Sequence, residues 1–365
     1  MRVRGTAIPW PAVLPVVALV LVLVTALLPA PYVIESPGPV TNTLGTTEVG
    51  GGAAPVIEIP GRRTYPTSGA LDLLTVRVVG SPTVTPSWLT LATTWFDPAQ
   101  SVTPIDELYP PGLTQQQSAQ AGAAEMTGSQ RSAVAAALTA LGYPVVGTVT
   151  VRSVGAASPA AGAVRPGDVV RSFAGHAPVD SCTLQDLVLA HGTAPTTIVL
   201  QRSGHTRTAI VAPRPTDIGG GRKRPLLGIT TSSTYRFPFS VRLRLADVDG
   251  PSAGMMFALG IIDRLTPGPL TGGAHVAGTG TICGDGTVGA IGGIIQKMAG
   301  ARRAGATVFL APASNCDEVV GHVPAGLRVF AVHRLSDALT ALRTVAAHRS
   351  SAGLPTCSTQ VGSSG

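Results

Sequence analysis

Apolar and polar positions change rhythm several times along the chain. From Pro9 to Val33 the sequence is almost purely apolar and uncharged, directly after Arg2 and Arg4. About 20 such residues span a bilayer core, so the stretch predicts a membrane helix. A removed signal peptide is the competing reading, but "ALLPAPYVIESPGP" has no clean small-x-small site. The expectation is an uncleaved anchor over 9–33. Residues 1–8 stay in the cytoplasm and, with the arginines held inside, everything later faces outward.

Residues 34–121 alternate short apolar runs such as "LLTVRVV" with turn-rich pieces such as "YPPG", which predicts a small β-rich region. From Ala123 to Leu141 the spacing becomes helical and stops at Gly142. "VVGTVTVRSV", "AGAVRPGDVVRSFAG" and "TTIVLQRSGHTRTAIVA" then read as period-two strands, with "TLQDLVLAH" as a helix among them. Past residue 250, Met255 or Met256, Leu259 and Ile262 recur at helical spacing until Thr266-Pro267-Gly268, and 291–304 reads as a further helix.

A length of 365 residues suits about two domains plus extras. The net charge of +7 is scattered. The run Arg222-Lys223-Arg224 follows three glycines and reads as a solvated linker, 216–225, rather than a nucleic-acid patch. No nucleic-acid partner is expected. The four cysteines, Cys182, Cys283, Cys316 and Cys357, show no CxxC spacing, which argues against zinc, and no metal is expected. Cys283 and Cys316 are one candidate pair; buried free thiols are the other reading.

Two positions carry candidate chemistry. Ser252, in "DVDGPSAGMM", sits at a helix start, where an N-cap is the commonest role for serine. The second half of a capping box is missing, because position 255 is Met. Gly250-Pro251-Ser252-Ala253-Gly254 also fits the G-x-S-x-G elbow of esterases, with Asp317 and His322 or His333 as nominal partners, though nothing in their settings singles them out. The second position is Lys297. Its helix neighbours at three and four residues are Gly293, Ile294, Gly300 and Ala301, with no carboxylate among them. A lysine on such a face either snorkels to water or packs close to another element, and burial would favour its neutral form.

Two resemblances organise these signals. "SVGAASPAAGAVRPGDVVRSFAGHAPV" resembles the PDZ domains of bacterial membrane-associated proteases. That resemblance implies a PDZ-like domain over 122–215 whose peptide or regulator ligand adds as a strand beside "VVGTVTV". The loop "LGYPVVG" matches the usual carboxylate-binding turn only loosely. Further on, "DGPSAG", "GTGTI", "GTVGAIGGIIQKMAGARRAGA" and "FLAPASN" resemble, in that order, the proteolytic domain of Lon proteases. With the anchor, the whole chain is similar to membrane-anchored, PDZ-containing Lon-like proteases.

That likeness implies an α+β multidomain chain: transmembrane helix, β-rich region, PDZ-like domain, a Lon-type α/β proteolytic domain over 226–346 and a flexible tail over 347–365. It implies a serine endopeptidase with Ser252 as nucleophile and Lys297 as general base. Thr279 helps orient the lysine, Asp249 helps gate the site, and Gly250, Ala253 and Gly254 are supporting positions, the glycines letting substrate backbone come close. Thr281 stands where many Lon proteases carry Glu. Lon proteases usually couple to an ATPase, but no G-x-x-x-x-G-K-[ST] run is present, so cleavage without ATP or another cofactor is expected. Peptide or unfolded substrates and a homo-oligomer, a hexameric ring, complete the expectation. The rival readings are a catalytically idle PDZ/Lon-like scaffold and, further off, a G-x-S-x-G esterase or lipase.

Overall fold

The N-terminal apolar run winds into a helix, α1 (Trp10–Leu27), in a computed structural model that describes residues 10–49, 51–109, 112, 115–217, 223–245 and 250–358. It stops short of Val33, because Pro29 and Pro31 cannot continue a helix and the chain turns into a strand. Among the described residues no helix is long and apolar enough to cross a membrane. The 9–33 span is thus corrected to a shorter helix followed by β1 (Tyr32–Asn42). Residues 1–8, with Arg2 and Arg4, lie outside the described residues.

β1 pairs antiparallel with β2 (Ala70–Val79) and with β3 (Ser101–Pro104). Between them sits α2 (Trp88–Thr94), whose N-cap Ser87 accepts the Thr90 N–H. A long helix, α3 (Gln115–Ala140), begins earlier than the alanine-rich pattern alone predicts. A second sheet follows, built from β4 (Val146–Val154), β5 (Val169–Phe173), the capped helix α4 (Ser181–His191), β6 (Thr196–Arg202), β7 (His205–Val211) and β8 (Ile229–Arg236). Its strand order is β7-β6-β5-β4-β8, all antiparallel.

Alternate residues of this sheet, Val149, Val151, Ile198 and Leu200, pack around Phe173 in a small core of their own. Asp168, fully buried, takes Nε and Nη2 of Arg202, both at 2.7 Å. Among its described residues the 216–225 linker is strand-paired, with Arg214–Asp217 against Lys223–Leu226. Because β8 belongs to this sheet, the domain expected to end at 215 runs on to Arg236.

The remaining elements return to the first sheet: α5 (Gly254–Leu265), β9 (His275–Gly278), the short pair β10 (Thr281–Ile282) and β11 (Val288–Gly289), α6 (Ile294–Arg303), β12 (Val308–Pro312), β13 (Arg328–Val332) and α7 (Leu335–Ala346). The strand order is β13-β12-β9-β2-β1-β3, with β9 parallel to both neighbours. Strands from the 34–121 region therefore form half of the sheet on which the C-terminal region folds, and the two are one unit. Val276, Val308 and Leu310 face a core shared with α3, α5 and α7, whereas Ala277, Phe309 and Ala311 face Ile294 and Met298 of α6. Helices thus cover both faces of a mixed sheet.

All four cysteines are paired. Cys182 joins Cys283, with Cα atoms 5.6 Å apart, and Cys316 joins Cys357 at 4.9 Å. The Cys283–Cys316 pair considered from sequence does not form, and neither do free thiols. Cys357 and the bond from Ala331 N–H to the Pro355 carbonyl at 2.9 Å hold down most of the segment expected as a flexible tail. Residues 359–365 of that tail lie outside the described residues.

Candidate active site

Thr279, the first residue after β9, is where the two faces of the sheet meet. The α5 helix covers one face and α6 the other, and only at a strand end can side chains from both reach one another. Lys297 Nζ donates to Thr279 Oγ1 at 3.3 Å, and the Thr279 hydroxyl donates to the Ser252 carbonyl at 3.0 Å. The Gly280 N–H bonds the same carbonyl at 2.9 Å, and the Met255 N–H returns to the Gly280 carbonyl at 3.1 Å. Ser252 is therefore pinned from behind, just ahead of α5, with its residue half-buried.

Backbone demands explain the residue types around it. Gly250 has φ +86°, which glycine adopts without strain. A Cβ on Gly254 would stand 2.8 Å from both Ile282 Cγ2 and Ser129 Oγ, so the turn closes only without a side chain there. Ser129 also donates to the Pro251 carbonyl at 2.7 Å. Ala253 is the residue preceding the first turn of α5. Asp249 lies outside the described residues.

Lys297 is only 4% exposed, on the side of α6 that packs against the sheet. Burial pulls its ammonium down to about 8, with the Glu35 carboxylate pushing the other way. Glu35, on β1, accepts from Ser101 Oγ at 3.1 Å and Thr103 Oγ1 at 3.3 Å, and Gln296 Nε2 donates to Ser101 Oγ at 2.8 Å. Sequence reading misses Glu35, because no motif marks chemistry in the β-rich region that holds it. A lone acidic residue in a strand, far from Lys297 in the chain, gives no signal of its own.

The esterase nominees stand in other settings. His322 Nδ1 lies 3.1 Å from the Glu318 carbonyl, and His333 is exposed beside Asp337, which accepts its backbone N–H. Among the described residues neither histidine has a hydrogen bond to Ser252. A cluster with metal-ligand atoms, Cys182, Asp186 and Cys283, has both sulfurs committed to a disulfide rather than available as thiolates.

The edge expected to receive a peptide is not open. β4 is paired on one side by β5 and on the other by β8. The edge strands of the second sheet are β7 and β8, and β8 is entered through Leu227 and Gly228, where φ is +65°. A cavity of about 580 Å³ lies along it, between Leu184 and Val188 of α4 and Thr230 and Thr231 of β8. Its far wall includes Ser129, Pro251 and Thr281, so it reaches the residue before Ser252.

Comparison with known proteins bears on the C-terminal part. Residues 246–344 match the Lon protease (S16) C-terminal proteolytic domain. Over 94 residues, 25% of this chain and 11% of the relative, the chain is 39% identical to Lon protease 1 of Sorangium cellulosum. Over 95 residues, 25% of this chain and 12% of the relative, it is 37% identical to the Lon protease of Escherichia coli K12. The chain thus spans only about a ninth of the length of these relatives. The PDZ domain of the SdrC-like protein from Listeria monocytogenes aligns at 25% identity and TM-score 0.21, covering 23% of this chain and 85% of that domain. Between residues 246 and 344, around Ser252 and Lys297, the chain is similar to the Lon protease C-terminal proteolytic domain.

Proposed function

We propose that the chain is an endopeptidase in which Ser252 is the nucleophile and Lys297 the general base, acting without histidine and without ATP. The observation that carries this reading is that Thr279 ties the two together, accepting from Lys297 Nζ and donating to the Ser252 backbone carbonyl, beside an amine that burial holds half-neutral near pH 8. As the serine oxygen bonds to a peptide carbonyl carbon, its proton passes to Lys297 Nζ. The resulting ammonium protonates the departing amine, and water then releases the acyl group by the reverse sequence. Amides at the start of α5 are the donors for the oxyanion, where each such group is worth about 3 kcal/mol.

The second sheet serves as a peptide-binding, PDZ-like module. An extended substrate segment or regulator adds to the open edge of β8, beside α4, and the adjoining cavity leads it towards Pro251. Two disulfides favour an oxidising compartment, so we place the catalytic fold outside the cytoplasm, held at a membrane by α1 and assembled as a homo-oligomeric ring. Sedimentation of the detergent-solubilised chain tests the last point. Ser252→Ala and Lys297→Ala should each abolish hydrolysis of an unfolded protein substrate while the fold persists. Appreciable turnover by either variant, or a requirement for ATP and magnesium, overturns the reading.

A further inference from the structure

Two uncharged stretches of the chain lie against each other on one side of the molecule. No charged residue occurs between Arg4 and Glu35, or between Arg77 and Asp97. The first stretch holds α1 and the second holds α2. They are joined by backbone bonds from Trp88 N–H to the Leu28 carbonyl at 3.2 Å and from Ala30 N–H to the Pro86 carbonyl at 2.9 Å. The Trp88 ring meets Tyr32 edge-on, with centroids 5.9 Å apart.

Both helices expose apolar surface. In α1, residues on every side are uncovered, among them Leu14, Leu19, Leu21 and Val22. A groove in a partner protein covers one stripe of a helix; surface that is apolar all round calls for an apolar medium. On the neighbouring segment Trp95 is 84% exposed and Phe96 89%, with Leu89 half-exposed beside them. Soluble surfaces rarely leave adjacent large aromatics this open.

The hydroxyls of both helices are already satisfied from within. Thr25 donates to the Leu21 carbonyl, Thr93 to Thr90, Thr94 to Leu91, and the Thr90 and Ser87 hydroxyls bond each other. Entering a low-dielectric layer therefore strands none of these groups. All three tryptophans of the chain, Trp10, Trp88 and Trp95, fall at these two helices, and Trp is the residue type that settles at the lipid headgroup boundary.

We propose that α2 and the turn after it form an interfacial lipid contact: Trp88, Leu89, Trp95 and Phe96 lie in the headgroup–acyl boundary of the bilayer into which α1 inserts. The proposal rests on the membrane reading given above and adds a second point of attachment. Two points fix the orientation of the rigid fold, because α2 leads straight into β3, the edge strand of the catalytic sheet. Ser101 of β3 bonds Gln296, the residue before Lys297, so the edge nearest the lipid adjoins the base's helix. The substrates that suit this placement are segments emerging from the membrane surface.

The full chain with Trp10→Phe, leaving Trp88 and Trp95 as its indoles, is mixed with phosphatidylcholine–phosphatidylglycerol vesicles whose acyl chains are either plain or brominated. The chain should float with the vesicles, and its emission should shift to the blue and be quenched severalfold by bromine. Adding Leu89→Ser and Phe96→Ser should leave flotation through α1 and hydrolysis of a soluble peptide unchanged while quenching falls several-fold. Flotation with unquenched indoles overturns the α2 contact and leaves the membrane reading standing. Failure to float overturns both. Unquenched indoles in a dimer that Leu89→Ser and Phe96→Ser dissociate assign the patch to a second copy of the chain and likewise overturn the lipid contact.

Discussion

Lys297 is costly to keep. With its folded value near 8 against about 10.5 unfolded, the unfolded chain binds more protons between those limits, so stability rises with pH across that window. Below about pH 8 the full penalty applies, on the order of 3 kcal/mol. Lys297→Met should therefore raise the melting temperature at pH 7 while removing activity, and the gain should shrink towards pH 10. A lower melting temperature in calorimetry at pH 7 would count against a buried, strained ammonium. The same group sets the activity profile: the base works when neutral, so kcat/KM should climb with pH through about 8 and then level off. Lys297→Arg keeps the charge but cannot release a proton in this range and should be inactive. Thr279→Val, which removes the bonds from Lys297 Nζ and to the Ser252 carbonyl, should lower kcat by roughly tenfold or more, and Thr279→Ser should restore most of it. In the sequence, Ser252 and Lys297 were singled out by the resemblance of their surrounding motifs to Lon proteases, since local spacing alone left an N-cap serine and a snorkelling lysine open. Glu35 was not, since its effect on Lys297 exists only once β1 has joined the sheet.

At the level of elements, helices were the easier reading. The apolar spacing of α5 and the small-residue face of α6 announce themselves within a dozen positions. Pairing partners do not. The link of β9 to β2 brings His275 to Asp72 across 203 positions, and nothing local in "LLTVRVV" names that partner. The peptide edge was misassigned for the same reason, because β8, much later in the chain, occupies the side of β4 that looked open. Four cysteines allow three full pairings, and spacing cannot choose among them. The pairing that formed has consequences for α4. Asp180, 1% exposed, caps that helix through the Thr183 N–H at 2.7 Å. It also accepts from Tyr235 Oη at 2.7 Å and from Gly284 N–H at 2.5 Å, just beyond Cys283. Asp180→Ala leaves the Gly284 N–H unpaired and Tyr235 Oη with Ser132 alone, and should destabilise the chain by about 2 kcal/mol. Removing the adjoining cross-link with Cys182→Ser and Cys283→Ser should cost about 2–4 kcal/mol. Denaturant titration of each variant checks both figures; an unchanged midpoint in either would refute the clamp between α4 and β10.

Taken as a whole molecule, the chain places the β8 sheet edge, a cavity and the segment before Ser252 next to one another. The catalytic unit is assembled from two distant parts of the polypeptide, with β1, β2 and β3 completing the sheet that β9, β12 and β13 begin. A piece starting near residue 226, the boundary suggested by sequence, therefore lacks half its sheet and should not fold into an active enzyme. Expression of 226–358 alone, followed by circular dichroism and a peptidase assay, checks this. The most direct test of the central claim is the rate at which a serine-reactive phosphonate labels Ser252 as pH is raised from about 6 to 10, in the intact chain and in Lys297→Ala. Labelling at Ser252 that rises through about pH 8 in the intact chain and is lost in Lys297→Ala is the predicted result. A rate independent of pH, or equal in the two proteins, contradicts lysine as the base.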